Sequence, residues 1–490
     1  MCNASTTLAV LTGVLVLLPL LAAAGGTAAT VGQHWFNDIV YYDYLDDTGQ
    51  LAGGRLIIPV QRPEPGMILP AAATTLYAAD GPVTNRIDLV TVGDGYRASE
   101  LGLYAQHVQS SLSTMFAQEP FKTYANFFNI HRVDVISNES GVDHDPTYPI
   151  YRDTAMDMEF WCGGTERLLC VNVAKAYSYA NNAPDVDMVL AVANSTKYGG
   201  AGYSSADLAT VSGGNSSAPE IALHEFGHSL GDLADEYWYS GQTYNGPEPA
   251  PRNISILTAA QMQATGTKWA LWLGANYPAY DGLVDTYEGA HYCQYGIYRP
   301  TNNSKMRALG RPFNLPSVEG LVIEMYKIVR PIDDATPAGV LHGTEIVFVK
   351  PVEPIGHALD VQWFLNGQPI PGATQPTLDL KSLHLGPGNY SLSAKVVDNT
   401  WFVRDVNARN TWLTETRQWT INVTFLLGDL NCDLRVDIGD INPFVLAVSN
   451  PALYQQSFPN CRLENADINQ DGRVDFADIN PFVRLLLSSL

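Results

Sequence analysis

The residues best suited to chemistry are His224, Glu225 and His228, which stand together as HEFGH at 224–228. A spacing of four puts the two imidazoles on one face of a helix, one turn apart. Zinc takes two imidazoles readily and keeps positions for a third ligand and a water. Such an ion lowers the pKa of its water to about 7 and polarises a carbonyl oxygen. Glu225 is the candidate general base, taking the proton of the water and passing it to the leaving amine. On this reading Glu225 matters for turnover more than for metal binding. The competing reading is a helix with two packed or solvent-facing histidines.

Spacing leaves a choice for the third ligand. In the pattern HExxHxxGxxH a third histidine would fall at Ala234, and carboxylates stand instead at Asp232, Asp235 and Glu236. A carboxylate oxygen is a sound zinc ligand. Asp235 is favoured, because it lies one step past the expected place, after Gly231, which can turn the chain back. Glu236 is the alternative. Carboxylates not on the metal would bond the histidines from outside.

The surrounding pattern indicates the elements that must position this set. Ser217 and Glu220 form an S-x-x-E box around Pro219, which predicts a helix start ahead of the motif. SELGLYAQHVQSSLSTMFAQ (99–118) has helical periodicity with Ser99 as its cap. IDLVTVGDGY (87–96) reads as a buried strand entering a glycine turn, and NIHRVDVIS (129–137) and DVDMVLAVAN (185–194) are β-rich. VDMVLAVAN is the candidate strand for an extended peptide to join by main-chain bonding. Residues 84–332 are therefore expected to be an α/β or α+β catalytic domain. Ahead of it, residues 31–83 carry strand-like pieces broken by Pro and Gly, and this stretch could cover a cleft as a pro-segment. PIDDATP (331–337) reads as a linker. Residues 338–425 hold short alternating strands that fit an immunoglobulin-like β-sandwich, with Trp363, Asn366, Gly367, Gly388, Tyr390 and Asp398 as core and turn residues.

Length and composition agree with several folded domains. At about 150 residues per domain, 490 residues suggest about three. Net charge is 28 − 50 = −22. Such a balance argues against nucleic acid, which needs clustered cations, and against anionic lipid. It suits an exported protein or one that carries calcium. The apolar run from Leu8 to Ala24, followed by GGTAATVGQ, reads as a secretory signal within 1–30, although no Lys or Arg precedes Arg55. No later stretch approaches 18 uninterrupted apolar residues, so after signal cleavage no membrane span is expected, and the destination is secreted or cell-surface. Six cysteines occur, and Cys2 leaves with the signal. Cys162 with Cys170 and Cys432 with Cys461 are the expected local disulfides in an oxidising compartment. Cys293 stands outside both pairs.

The tail, 428–490, contains a repeat. DLNCDLRVDIGDINPFV (429–445) and DINQDGRVDFADINPFV (467–483) agree at twelve of seventeen positions, too many for an unselected acidic surface. Each copy places Asp or Asn at loop positions 1, 3, 5, 9 and 12: Asp429, Asn431, Asp433, Asp437 and Asp440, then Asp467, Asn469, Asp471, Asp475 and Asp478. Calcium wants about six to eight oxygens, and alternate loop residues can aim them at one point. Gly472 sits where a sharp turn is needed, but the first copy has Leu434, which in a left-handed conformation costs about 1–2 kcal/mol. INPFV then starts a helix.

The two loops resemble the dockerin type I module, a small α-helical, EF-hand-like calcium domain. The resemblance departs at Leu434 and in the Cys432/Cys461 pair. It implies bound calcium and a cohesin-like protein partner; a self-contained stabilising tail is the alternative.

HEFGHSLGDLADEY resembles the zinc motif of the IgA-peptidase family, metallopeptidase family 64. IDLVTVGDGY and MFAQEPFKTYANFFNIHRVDVISNESGVDH are similar to that family's upstream core, and GIYRPTNNSKM (296–306) to its downstream segment. The resemblance implies a zincin/metzincin-like fold and a zinc endopeptidase acting on protein or peptide substrates. Met306 would match the methionine beneath the metal, against a plain core role. Relatives often carry cysteines near SKM and RPF, where this chain has Asn303 and Asn314. Tyr237, His291, Tyr292, Tyr295 and Arg299 are candidates for polarising the substrate carbonyl or binding its backbone, against simple packing roles. The rival from a different class is an inactive adhesive or scaffold protein with the same docking tail, and intact His224, Glu225 and His228 weigh against it. A glycan hydrolase is disfavoured because no acid pair has a recognisable setting for it.

Overall fold

The computed structural model describes residues 35–46, 49–62, 66–383, 385, 388–424, 426–459 and 461–489. The expected signal sequence and Cys2 lie outside them. The chain divides into two compact units: Met1–Arg330 with Val352–Ala358 and Asp398–Leu413, and Pro331–Pro351 with Leu359–Val397 and Thr414–Leu490.

The first unit is built on an eight-stranded sheet. Its strands are β1 (Trp35–Leu45), β2 (Leu51–Gln61), β3 (Ala72–Tyr77), β4 (Ile87–Asp94), β5 (Phe128–Asp134), β6 (Met188–Ala193), β7 (Gly200–Tyr203) and β8 (Leu208–Ser212). They lie in the order β2-β1-β7-β8-β6-β4-β5-β3. β8, β6, β4 and β5 are parallel, while β7 runs antiparallel to β8. Every residue of β4, β6, β7 and β8 is buried, which explains their near-continuous apolar runs. β6 is paired on both sides, by β4 and β8, so the strand expected to receive a peptide has no free edge. The first segment is more regular than its Pro and Gly content suggests. β1 and β2 form one long hairpin, in register from Trp35↔Gln61 to Leu45↔Leu51. It joins the sheet through Val40↔Tyr203 and Tyr41↔Gly202 of β7.

Helices α1 (Leu101–Met115), α2 (Val173–Ala180) and α3 (Ala218–Ser229) pack on this sheet, with α3 against α1, β7 and β8. Two predicted caps are replaced. At the start of α1 the local bonds are made by Glu100 rather than by Ser99, its carboxylate accepting from the Arg97 amide and guanidinium. Ser217 is the N-cap of α3 but makes no side-chain cap bond. Glu220 turns instead to Lys305, Gln118 and the Gly310 amide. A fully buried ammonium needs its counter-charge more than a partly buried helix end needs a cap.

The rest of the unit holds β9 (Trp238–Thr243), α4 (Ala259–Thr265), β10 (Asn276–Tyr277), β11 (Gly282–Leu283), β12 (Tyr287–Ala290), β13 (Tyr292–Arg299) and α5 (Leu315–Ile328). β12, β13 and β9 form a three-stranded sheet. Asn314 caps α5 by accepting from the Ser317 amide. Cys162 and Cys170 are disulfide-bonded.

In the second unit, β14 (Ile332–Ala335), β15 (Val340–Leu341), β16 (Ile346–Pro351), β17 (Asp360–Leu365), β18 (Gln368–Pro369), β19 (Thr377–Asp379), β20 (Gly388–Val397) and β21 (Thr414–Val423) make two sheets, β14-β16-β19 and β15-β21-β20-β17-β18. Trp363 is buried and stacks on Trp419. Asn366 and Gly367 make the left-handed turn between β17 and β18. Residues 352–358 and 398–413, the latter holding the short helix α6 (Val406–Thr411), belong to the first unit, and Asp398 is buried there. The tail has helices α7 (Ile441–Ser449), α8 (Pro451–Ser457) and α9 (Ile479–Ser489), with Phe444 stacked on Phe482 and Cys432 bonded to Cys461. Among the described residues no helix is long and apolar enough to cross a membrane.

Candidate active site

α3 is buried continuously from Ile221 to Ser229 and carries both histidines inward. His224 Nδ1 lies 3.0 Å from the Lys305 carbonyl and His228 Nδ1 lies 2.7 Å from that of Leu233. A carbonyl only accepts, so each Nδ1 donates, which leaves each Nε2 as the atom free to take a metal or a proton. The two Nε2 atoms are 3.2 Å apart. Two ring nitrogens at that distance suit a shared cation.

The chain then returns. Gly231 passes so close to the helix that a Cβ there would lie 2.7 Å from the Gly227 carbonyl. Asp232, with φ of 47°, makes the left-handed turn and points to solvent. Asp235 comes back beneath the imidazoles, its Oδ1 3.2 Å from His224 Nε2 and 3.4 Å from His228 Nε2. Its Oδ2 accepts from the Tyr292 hydroxyl. Glu236, the alternative third ligand, faces elsewhere and is held by Ser304, Asn253 and Asn314. Burial pushes its carboxyl up to about 7 despite those bonds.

A fourth member was not anticipated. Asp43 of β1 places Oδ2 2.9 Å from His224 Nε2, while its Oδ1 accepts from the Tyr237 hydroxyl at 2.6 Å. One ligand atom from each of Asp43, His224, His228 and Asp235 lies within 4.8 Å of all the others. Among the described residues no other group of three or more His, Cys, Asp or Glu converges in this way.

Do these residues fit zinc? Ligands at about 2.0–2.1 Å in a tetrahedron lie about 3.3 Å from one another. The separations above, 2.9 to 3.4 Å, bracket that value. Asp43 Oδ2 and Asp235 Oδ1 are buried without an aligned hydrogen bond, and so are both oxygens of Glu225. Burying bare carboxylates is costly unless a cation compensates. Charge agrees: burial lowers the pKa of His224, but the Asp43 and Asp235 carboxylates outweigh it and raise it well above the ordinary value. The cluster demands positive charge.

Glu225 sits against β7. A Cβ on Gly202 would lie 2.8 Å from Glu225 Oε2, so the glycine lets the strand pass over the carboxylate. Burial first, then the neighbouring Asp43, raises the Glu225 pKa well above its usual range. Met306 is buried under the motif, and a Cβ on Gly227 would lie 2.5 Å from its sulfur.

The other candidates separate by geometry. Tyr237 and Tyr292 reach the cluster through Asp43 and Asp235. His291 stacks on Tyr292, and burial lowers its pKa to about 4. Tyr295 is exposed, and Arg299 donates to the carbonyls of Glu288, Gly289 and Asn302. Nothing in the composition or spacing around Asp43 distinguishes it from Asp38 or Asp46.

In the tail, the two loops repeat one hydrogen-bond pattern. Asp429 accepts from the amides of Asp433 and Leu434, and Asp467 from those of Asp471 and Gly472. Asp440 and Asp478 accept from Asn431 and Asn469, and from Asp437 and Asp475. Asn431 and Asn469 accept from the amides of Asp433 and Asp471, which in turn accept from Arg435 and Arg473. Leu434 and Gly472 are both left-handed, with φ of 69° and 85°.

The sequence model of the IgA Peptidase M64 family matches residues 76–283. The matched segment contains His224, Glu225, His228 and Asp235, and excludes Asp43 and Met306. It supports a metallopeptidase catalytic domain over this part of the first unit. No curated protein matches the chain.

Proposed function

We propose that the chain is a secreted zinc metalloendopeptidase in which His224, His228 and Asp235 hold the metal and Glu225 is the general base. One observation carries the reading: two imidazole Nε2 atoms and a buried carboxylate converge beside an unpartnered glutamate, within the segment that the peptidase family matches. A zinc ion bound there acidifies water and polarises a peptide carbonyl. The Lys305 and Leu233 carbonyls orient the imidazoles, and Tyr292 orients Asp235. Glu225 receives a proton at its carboxylate and delivers it to the leaving amine. Export is supported by the apolar N-terminal run and by two disulfides. In the second unit, the repeat supports calcium in each tail loop and docking to a cohesin-like partner, with the sandwich as a spacer or binding module. Glu225→Gln should abolish casein cleavage while zinc stays bound by elemental analysis; unchanged cleavage would refute the assigned role. The same analysis should count two calcium ions per chain.

A further inference from the structure

A catalytic zinc site keeps one position open for water or substrate, whereas a site with four protein ligands is closed. Here the fourth donor comes from a hairpin outside the segment that the peptidase family matches. We propose that the β1–β2 hairpin is a built-in inhibitor: Val40–Asp43 lie where an extended polypeptide substrate would lie on β7, and Asp43 is a fourth, displaceable ligand of the metal. The inference rests on the metallopeptidase reading above.

Strand β7 is the antiparallel strand at the margin of the sheet body, and the Glu225 carboxylate lies beneath Gly202. Without β1, its outer main-chain groups would be free to pair with a peptide. β1 takes that place in antiparallel register, with Tyr41 opposite Gly202. The Tyr41 ring then lies flat on the His228 imidazole, 4.2 Å between centroids and 8° from parallel. Two residues on, Asp43 places Oδ2 2.9 Å from His224 Nε2, where a reacting carbonyl or its water would have to sit.

The hairpin is shaped for this delivery. Gly53, directly opposite Asp43, cannot carry a side chain, because a Cβ would lie 2.8 Å from Asp43 Oδ1 and 2.7 Å from the Tyr237 hydroxyl. The Tyr239 hydroxyl accepts from the Gly53 amide and donates to the Gly53 carbonyl. Asp38 binds Ser204 and the Ser205 amide just beyond β7. A hairpin serving only to extend the sheet needs neither a bare buried carboxylate at the histidines nor these anchors around it.

The test uses the full chain loaded with cobalt(II), whose visible spectrum reports its ligands, and acetohydroxamate as the probe. Wild-type protein should resist the probe. Asp43→Ala, and the isosteric Asp43→Asn, should retain one cobalt and bind acetohydroxamate at least tenfold more tightly. Casein hydrolysis by the zinc forms should rise at least tenfold, and Glu225→Gln in the Asp43→Ala background should silence it. Equal probe binding by wild type and both variants overturns the inference and leaves the peptidase reading intact. Tight probe binding without hydrolysis sustains the occupied position and removes the peptidase reading, while failure of every form to bind metal removes both. Should the Asp43 variants not fold, Tyr239→Phe loosens the same hairpin; a probe affinity unchanged from wild type would overturn the inference.

Discussion

Around His224 and His228 the carboxylates of Asp43 and Asp235 are buried and face imidazole nitrogens, whereas in the tail those of Asp429 and Asp467 accept hydrogen bonds from the amides of their own loops. The first arrangement leaves the inner oxygen of each carboxylate without an aligned donor, an arrangement suited to a cation. The second is satisfied by backbone amides, so the loops are held by their own hydrogen bonds. Burial alone does not separate the two. Asp398 is fully buried, yet Tyr124, Tyr326, His357 and the Thr400 amide supply donors to both its oxygens. What marks the histidine site is that the inner oxygens, Asp43 Oδ2 and Asp235 Oδ1, converge on the imidazoles with no aligned donor.

The largest expected effect tests that distinction directly. Tyr292→Phe removes the donor to the outer oxygen of Asp235 and should weaken zinc binding about 10- to 100-fold in a chelator competition. An unchanged affinity would make Asp235 a bystander and dissolve the contrast with the tail. In the tail, strain rather than charge is the variable. Leu434→Gly should stabilise the calcium-free tail by about 0.5–1 kcal/mol in urea denaturation, since glycine relieves the left-handed cost but loses more chain entropy. No gain would mean that the first loop is not strained relative to the second.

The smallest effect concerns the satisfied carboxylate. A hydrogen bond to Asp398, with its charge, outweighs burial and raises the pKa of His357, while His357 and its neighbours hold Asp398 below the usual carboxylate range against its burial. The histidine contribution is complete below its unfolded pKa of about 6.5 and is lost as pH rises through the higher folded value. The aspartate contribution is lost only as pH falls through its depressed value. The His357 contribution to the thermal stability of the first unit should therefore decline by about 1 kcal/mol or less on going from pH 6 to 8, and His357→Gln should remove that part of the slope.

HEFGH was legible because a helix converts a spacing of four into a shared face, whatever surrounds it. Strands β4 and β6 were legible because burial on both faces favours near-continuous apolar runs. Within DLADEY, sequence left Asp235 and Glu236 as alternatives, and packing separated them: Asn253, Ser304 and Asn314, distant in the chain, draw Glu236 away. The Ser217 box was a misreading for a similar reason, because Lys305 claims Glu220. β6 was mistaken for the substrate strand since edge position belongs to sheet order, which local pattern does not encode.

Sequence by itself determined the helical histidine pair, the glutamate beside it and the repeated acidic loops. Each depends on residues near one another along the chain, where backbone geometry alone sets distance. Only the tertiary structure decided that Asp43 faces the histidines, that β1 covers β7 and that Met306 lies beneath the motif. Those contacts join segments far apart in the chain, and their partners are selected by the packing of the whole unit rather than by any local spacing.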